Sequence, residues 1–279
     1  MAELETTPLA AVTSCGQTDI VCFLLDNDVS VDVKSLKGLS LLYILIRGGF
    51  EVIVTMLLEW MRALGVNVDF RDYQGMTPLY YATQFASETA IIDLLIQHGA
   101  LINAVANNGV TPLHYAARHA SGTAVIDLLI QHGASINAMT HVDVTPLCVA
   151  AGLGNVNICR SLMNHNADIE LGGWVYGTPL VCAVQGDHIA VTELLLRRGV
   201  NTETRIRLIT EVDSYGLRTE RITTLMLAAW KARPEIVKLL LAHGAYADKF
   251  VGEALVWARH GGWWDWGNLE RKELCIDLL

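Results

Sequence analysis

The chain lacks the features that define several protein classes. Only 18% of its residues are charged and 52% are hydrophobic, a balance that argues against intrinsic disorder. Acidic residues outnumber basic ones, and the net charge of -9 argues against nucleic acid as a partner, because phosphate binding requires a basic surface. No apolar run reaches the length of about eighteen residues that a transmembrane helix needs. We therefore expect a folded protein that binds neither nucleic acid nor membrane.

Cysteine pairs, glycosylation sequons and a secretion signal are also missing. The six cysteines are scattered without a Cys-x-x-Cys pair, which predicts buried free thiols in a reducing compartment. No Asn-x-Ser/Thr sequon occurs. The segment Met1–Glu5 is acidic and has neither the basic region nor the apolar core of a signal peptide. These observations favour the cytoplasm or the nucleus as the location.

The common catalytic and metal-binding motifs do not occur. The chain has no Gly-x-x-x-x-Gly-Lys phosphate loop, no His-Glu-x-x-His, no Gly-x-Ser-x-Gly elbow and no cysteine pair for zinc. Four of the nine histidines, His98, His132, His165 and His243, occupy the same slot at predicted helix ends, where an imidazole can bond to terminal carbonyls. We expect no cofactor and no metal site.

An internal repeat dominates what is present. Thr-Pro-Leu occurs at residues 7–9, 77–79, 111–113, 145–147 and 178–180, and degenerate copies begin at Ser40 and Thr223. Successive copies start 33, 37, 34, 34, 33 and 45 residues apart. Threonine at an N-cap followed by proline predicts a helix start, and Gly133 predicts the end of a second helix. Each copy therefore predicts two short helices that bury their apolar faces only when stacked on neighbours.

These motifs resemble those of the ankyrin repeat family. The resemblance rests on the period near 33 residues, on Thr111–Ala117 and on the helix ends His98–Ala100, His132–Ala134 and His243–Ala245. It covers nearly the whole chain as about eight units and implies an all-α repeat solenoid of helix-turn-helix units with β-hairpin fingers. We expect a single domain over 1–279 with atypical capping units at about 1–36 and 252–279.

The segment at about 203–222 departs from the repeat. The distance between the starts of successive repeats grows there from 33 to 45 residues, which indicates an insertion of about 12 residues. Two β-prone runs flank Asp213–Gly216, a pattern typical of a hairpin. We expect an elongated hairpin finger at this position. Its arginines are balanced by acidic residues, so the segment does not read as a nucleic-acid-binding arm.

The resemblance implies a non-catalytic scaffold that binds a protein partner through its concave groove and hairpin fingers. When the units are aligned, one position near the end of each first helix falls in a column that lines the groove. The tips of the fingers provide further positions that a partner could contact. An acidic chain favours a partner with basic regions. The predicted partner-binding residues are Arg47, Tyr73, Gln84, Arg118, His141, Trp174, Tyr176, Gln185, Tyr215 and Trp230.

Two alternatives stay open. The first is an unusual enzyme or small-molecule binder with a pocket between the inner helices and the long hairpin. Its candidate catalytic residues are His119, His141, Asp143 and Arg118, with the imidazoles as acid or base and Arg118 for an anion. The second is an architectural module of a larger protein that docks or self-associates through Trp263, Trp264 and Trp266.

Overall fold

Paired helices recur along the chain. A computed structural model describes residues 41–85, 89–120, 122–173, 177–210, 218–245 and 269–279. The described residues divide between two compact units, residues 1–135 and 136–279. Each repeat contributes a first helix and a second helix, and these two terms are used below for all repeats.

The first unit contains three helix pairs among its described residues. The bounds are α1 Leu41–Gly48, α2 Glu51–Ala63, α3 Pro78–Phe85, α4 Ala90–Gln97, α5 Pro112–His119 and α6 Ala124–Gln131. First helices pack side by side, α1 on α3 and α3 on α5, and each contacts its own second helix. The predicted second helix at about 51–63 matches α2.

The second unit continues the pattern and adds two strands. The bounds are α7 Pro146–Gly152, α8 Val156–Asn164, α9 Pro179–Gln185, α10 Ile189–Arg197, β1 Ile206–Thr210, β2 Arg218–Ile222, α11 Thr224–Trp230, α12 Pro234–Ala242 and α13 Leu269–Leu278. First helix α7 packs on α9 and α9 on α11, while α13 packs on α12 and α11. Cys275 of α13 is fully buried.

The helices begin where the Thr-Pro-Leu motif predicts. Thr111 has an extended backbone and forms a capping box, in which its Oγ1 accepts from the His114 N–H and its own N–H donates to His114 Nδ1 at 3.3 Å. Thr145 Oγ1 likewise accepts from the Cys148 N–H at 3.2 Å. The second helices end at glycines such as Gly133, whose φ of +88° is a left-handed conformation that favours glycine.

Strands β1 and β2 pair in antiparallel fashion, with Ile206 opposite Ile222 and Thr210 opposite Arg218. Ile206 and Ile222 are buried at the base of the pair, and a Cβ on Gly177 would lie 3.0 Å from Ile206. The predicted turn Asp213–Gly216 lies outside the described residues, so the complete elongated hairpin stays a prediction.

The other described inter-repeat turns carry no paired strands beyond an isolated bridge between Gly173 and Gly177, so their assignment as hairpin fingers also stays a prediction.

Several predicted features fall outside the described residues. They include the first repeat and the N-terminal capping unit at about 1–36, most of the C-terminal capping unit, and the tryptophans Trp263, Trp264 and Trp266. The repeat count of about eight and the single domain over 1–279 stay predictions for that reason.

Candidate functional site

A cluster of four tyrosines lies on and beneath the first helices of the first unit. We call Tyr43, Tyr80, Tyr81 and Tyr115 the tyrosine cluster. Tyr43 meets Tyr81 edge-to-face with ring centroids 4.3 Å apart, and Tyr80 meets Tyr115 at 5.9 Å. Such edge-to-face pairs place the positive ring edge against the negative face of a neighbour and add to the stabilisation from burial. The cluster therefore holds the exposed ends of these first helices in fixed positions.

Hydrogen bonds to the backbone hold the buried part of this cluster. Tyr80 is completely buried, and its hydroxyl lies 2.7 Å from the Ala104 carbonyl and 2.6 Å from that of Val110. The Tyr81 hydroxyl donates to the Asp72 carboxylate, which also accepts from the N–H groups of two turn residues, Gln74 and Met76. Each hydroxyl thus joins a first helix to an inter-repeat turn.

Burial raises the pKa of three of these hydroxyls. For Tyr80 and Tyr115 the main cause is loss of solvation of the phenolate. For Tyr81 the same cause is reinforced by the hydrogen bond to Asp72, whose negative charge opposes deprotonation. The three hydroxyls stay protonated across the physiological range and act as hydrogen-bond donors.

Three predicted groove residues stand in register at the ends of the first helices. Arg47, Gln84 and Arg118 each lie five residues beyond an equivalent buried leucine in α1, α3 and α5, and the two arginines are exposed. Gln84 is half-buried, and its Oε1 accepts from the Tyr115 hydroxyl at 2.9 Å. We call Arg47, Gln84 and Arg118 the first-helix edge.

His119 follows Arg118 and is exposed at the end of α5. Its ring stacks on Tyr115 with centroids 4.5 Å apart. Partial burial, and then the positive charge of Arg118, lower the pKa of His119 below its ordinary value. The imidazole is therefore mainly neutral at pH 7.

The turn tips of the first unit are exposed, and hydrogen bonds connect each tip to the next. Tyr73 is 76% exposed and Val105 is 47% exposed. Arg71 Nη1 donates to the Val105 carbonyl at 2.6 Å, and Asn107 donates through its N–H to the Gln74 carbonyl at 2.9 Å. Asn107 Nδ2 also donates to the Tyr73 carbonyl at 3.1 Å. Tyr73 is thus an exposed aromatic side chain on a turn that hydrogen bonds from Asn107 in the next turn hold in place.

The second unit presents a different set of first-helix positions. Gln185 is exposed and Trp230 is half-buried, with the Lys231 ammonium 4.9 Å from the Trp230 ring centroid. A Cβ on Gly152 would lie 3.6 Å from Cβ of Cys182. This is an ordinary van der Waals distance, so the packing of α7 on α9 would also accommodate an alanine here.

The predicted acid–base pair of the second unit is not assembled. His141 and Asp143 are both exposed, and the described residues show no hydrogen bond or ion pair between them. Asp143 has a φ of +58° and lies on the turn, where it faces Gly173. His119 and Arg118 belong to the first unit. The predicted finger residues Trp174, Tyr176 and Tyr215 lie outside the described residues.

The described cysteines are free and buried, as predicted, at positions 148, 159, 182 and 275. Cys148 occupies the helix position that His114 has in α5, and its Sγ lies 3.6 Å from the Leu171 carbonyl. A hydrogen bond from Cys182 lowers the pKa of Cys148 to about 7 and raises that of Cys182. Burial raises the pKa of Cys159 to about 12.

Most histidines have structural contacts. His98 Nδ1 lies 2.9 Å from the Leu94 carbonyl, and His243 Nδ1 lies 2.9 Å from that of Leu239, as the helix-end prediction requires. His132 instead meets Asp93 of the preceding repeat at 3.2 Å. His188 Nε2 lies 3.0 Å from the Gly152 carbonyl and joins two repeats. The exposed histidines His119 and His141 show neither a backbone contact of this kind nor an ion pair in the described part of the chain.

Neither a metal cluster nor a membrane span emerges from the described ranges. No group of three or more His, Cys, Asp or Glu side chains in them has the geometry to hold a metal ion. No helix among them is both long and apolar enough to cross a bilayer.

Comparison with protein-family models identifies the repeat. The model for tandem ankyrin repeats matches residues 8–106, 62–140 and 138–206, and the model for a single ankyrin repeat matches residues 221–250. The chain belongs to the ankyrin repeat family. Its fold is accordingly an all-α repeat solenoid, and ankyrin repeats are generally protein–protein interaction modules. No curated protein matches the chain.

Sequence reasoning missed one recurrent feature of this ankyrin repeat chain. Side chains at equivalent positions, Asp69, Asn103, Asn137 and Glu170, accept hydrogen bonds from backbone N–H groups one repeat further on. Asn103, for example, accepts from Ser135 at 2.8 Å and donates to the Gly133 carbonyl at 3.0 Å. The spacing of 34, 34 and 33 residues is visible in the sequence and could have revealed this hydrogen-bond ladder.

Proposed function

We propose that this ankyrin repeat protein is a non-catalytic scaffold that binds a protein partner through its first-helix ends and its inter-repeat turns. The observation that carries the proposal is the exposure of large side chains on rigidly held backbone. Tyr73 projects from a turn fixed by Asn107, and Arg118 projects from α5, whose Tyr115 packs edge-to-face on Tyr80 of α3. Tyrosine and arginine dominate binding hot spots, and a pre-organised surface loses little entropy on binding.

The predicted partner-binding residues differ in how well they suit this role. Exposure supports Arg47, Tyr73, Arg118, His141 and Gln185 as contact residues. Gln84 and Trp230 are half-buried and would contribute the part of their surface that remains accessible. Trp174, Tyr176 and Tyr215 keep their predicted role, as does docking or self-association through Trp263, Trp264 and Trp266.

The enzymatic alternative has less support. Catalysis by a general base requires that the base be oriented by a neighbour and placed near a reacting group. His141 and Asp143 do not contact each other, and His119 contacts a tyrosine ring. Among the described residues, neither histidine therefore has a partner that would orient it as a catalytic base, and we propose no activity.

The buried free thiols support an intracellular setting for the scaffold. The thiols of Cys148 and Cys182 are buried and share a hydrogen bond. Such pairs persist in reducing compartments. We propose the cytoplasm or the nucleus on this ground.

A capture experiment with matched variants tests the proposal. The immobilised full chain is incubated with cell extract, and retained polypeptides are quantified by mass spectrometry for wild type, for Tyr73→Ser combined with Arg118→Glu, and for Glu59→Arg. Glu59 is exposed on the second helix α2, away from the proposed surface. We expect a polypeptide that is retained by wild type and Glu59→Arg and falls at least about fivefold with the double variant. Equal retention by all three proteins would disprove the proposal.

A further inference from the structure

The first helices of the first unit carry cationic and neutral side chains but no carboxylate. The sequences of α1, α3 and α5 contain no Asp or Glu, although the whole chain has a net charge of -9. Of the described acidic residues of this unit, Glu51, Glu59, Asp93 and Asp127 are on second helices, and Asp69 accepts a backbone hydrogen bond in a turn. Asp72 also belongs to a turn, but its carboxylate accepts from the Tyr81 hydroxyl of α3 and so lies against this face. The three helices themselves therefore carry charge opposite in sign to that of the protein, with one turn carboxylate beside them.

The two arginines are placed at a defined separation. Arg47 and Arg118 are in register on α1 and α5, with α3 packed between them. Helices in contact lie about 8–10 Å apart, so two such steps separate the arginine positions by about 16–20 Å. An extended peptide advances about 3.3 Å per residue. The separation therefore corresponds to about five or six residues of an extended chain.

Gln84 lies between the two arginines and is oriented by a hydrogen bond. The Tyr115 hydroxyl donates to Gln84 Oε1 at 2.9 Å. The amide oxygen is therefore used in a contact within the protein, and the amide NH₂ is left to donate to a ligand. A peptide laid across α1, α3 and α5 would meet a guanidinium, an amide donor and a second guanidinium in turn. The half-buried rings of Tyr81 and Tyr115 lie beneath this path and offer aromatic surface.

We propose that the first-helix edge recognises an extended acidic segment of a protein partner, with two carboxylates about five or six residues apart that pair with Arg47 and Arg118. This inference rests on the proposed scaffold function and specifies the chemistry of the partner. Guanidinium groups bind carboxylates through paired N–H donors, and because α1, α3 and α5 carry no Asp or Glu, repulsion from these helices is absent and that from the hydrogen-bonded carboxylate of Asp72 remains. Two arginines on an acidic protein are too few for a nucleic acid, whose binding requires many phosphate contacts.

Fluorescence polarisation with designed peptides tests this proposal. The probes are fluorescein-labelled twelve-residue peptides of alternating Ser and Leu in which two Glu residues are separated by two to eight positions. A matched set carries Lys in place of Glu, and labelled dT20 serves as a polyanion control. We expect the tightest binding at separations of five or six, no binding of the Lys set, and weak binding of dT20.

Variants connect the binding to the two arginines. Arg47→Gln and Arg118→Gln each should weaken binding of the best peptide about fivefold. Arg160→Gln, which removes an exposed arginine from the second helix α8, should leave binding unchanged. Circular dichroism confirms that each variant is folded.

The proposal is overturned if affinity does not depend on Glu spacing, if neither edge variant weakens it, or if dT20 or the Lys peptides bind more tightly. A captured partner that depends on Tyr73 and Arg118 but whose bound segment lacks acidic residues would overturn this inference and leave the scaffold function standing.

Discussion

At the scale of single residues, equivalent positions in different repeats have different hydrogen-bond partners. Thr145 Oγ1 caps its helix, whereas the hydroxyls of Thr77 and Thr178 are buried without a partner among the described residues. A buried hydroxyl without a hydrogen bond destabilises the fold, while a capping hydroxyl stabilises it. The same motif residue therefore has opposite energetic effects in neighbouring repeats.

Replacement of these threonines by valine separates the two roles. We expect Thr145→Val to lower the free energy of unfolding by about 1 kcal/mol because the capping bond is lost. The equivalent Thr178→Val change should leave that free energy unchanged or raise it by up to about 1 kcal/mol, because it removes a buried, unbonded hydroxyl. Urea unfolding followed by circular dichroism measures both values. Equal losses in the two variants would contradict this assignment of the hydrogen bonds.

The tyrosine cluster predicts how stability depends on alkaline pH. The pKa of Tyr80 is raised in the fold, so the folded chain holds this proton at a pH where the unfolded chain has lost it. Its contribution to stability is complete below the unfolded value of 10.0 and declines as pH rises above it.

We therefore expect the free energy of unfolding to fall more steeply between pH 9.5 and 11.5 for wild type than for Tyr80→Phe, by roughly 1 kcal/mol per pH unit. Urea titrations at several pH values measure this slope. Because Tyr80→Phe keeps the ring and removes only the titrating hydroxyl, the difference reports that group alone. Parallel slopes for the two proteins would show that Tyr80 ionises normally.

At the scale of elements, the ladder of Asp69, Asn103, Asn137 and Glu170 joins successive repeats at four places. We expect Asn103→Ala to cost about 1–2 kcal/mol, because the bonds to Ser135 and Gly133 are lost together. Asn157→Ala, at an exposed position of α8, should change stability by less than about 0.5 kcal/mol. Thermal and urea unfolding provide both numbers, and similar values for the two alanine variants would rule out an energetic role for the ladder.

The helix pairs were predictable because their boundaries depend on local chemistry. Thr-Pro at a helix start and Gly133 at a helix end act within a few residues, and α5 begins at Pro112 as the motif requires. The surface was less predictable, since it depends on contacts between repeats. The alignment put Gln84 in the groove, but it could not show that Gln84 bonds Tyr115.

At the scale of the whole molecule, the protein is an ankyrin repeat chain whose buried frame recurs and whose exposed positions vary. The second helices α4 and α6 are nearly identical, whereas the aligned first-helix positions read Gln84 in one repeat and Arg118 in the next. Since recurrent residues build the frame, we propose that the residues that differ between repeats carry the specificity for a partner. This division of roles is the basis of the proposed scaffold function.

Site-specific photo-cross-linking tests this division most directly. A benzophenone side chain is introduced at four exposed positions of the first unit: Tyr73 and His119 on the proposed surface, and Glu59 and Gln97 on second helices. Each labelled protein is irradiated in cell extract, and cross-linked polypeptides are identified by mass spectrometry. The account predicts that one polypeptide cross-links to positions 73 and 119 and not to 59 and 97. Cross-links concentrated at 59 and 97 would contradict it.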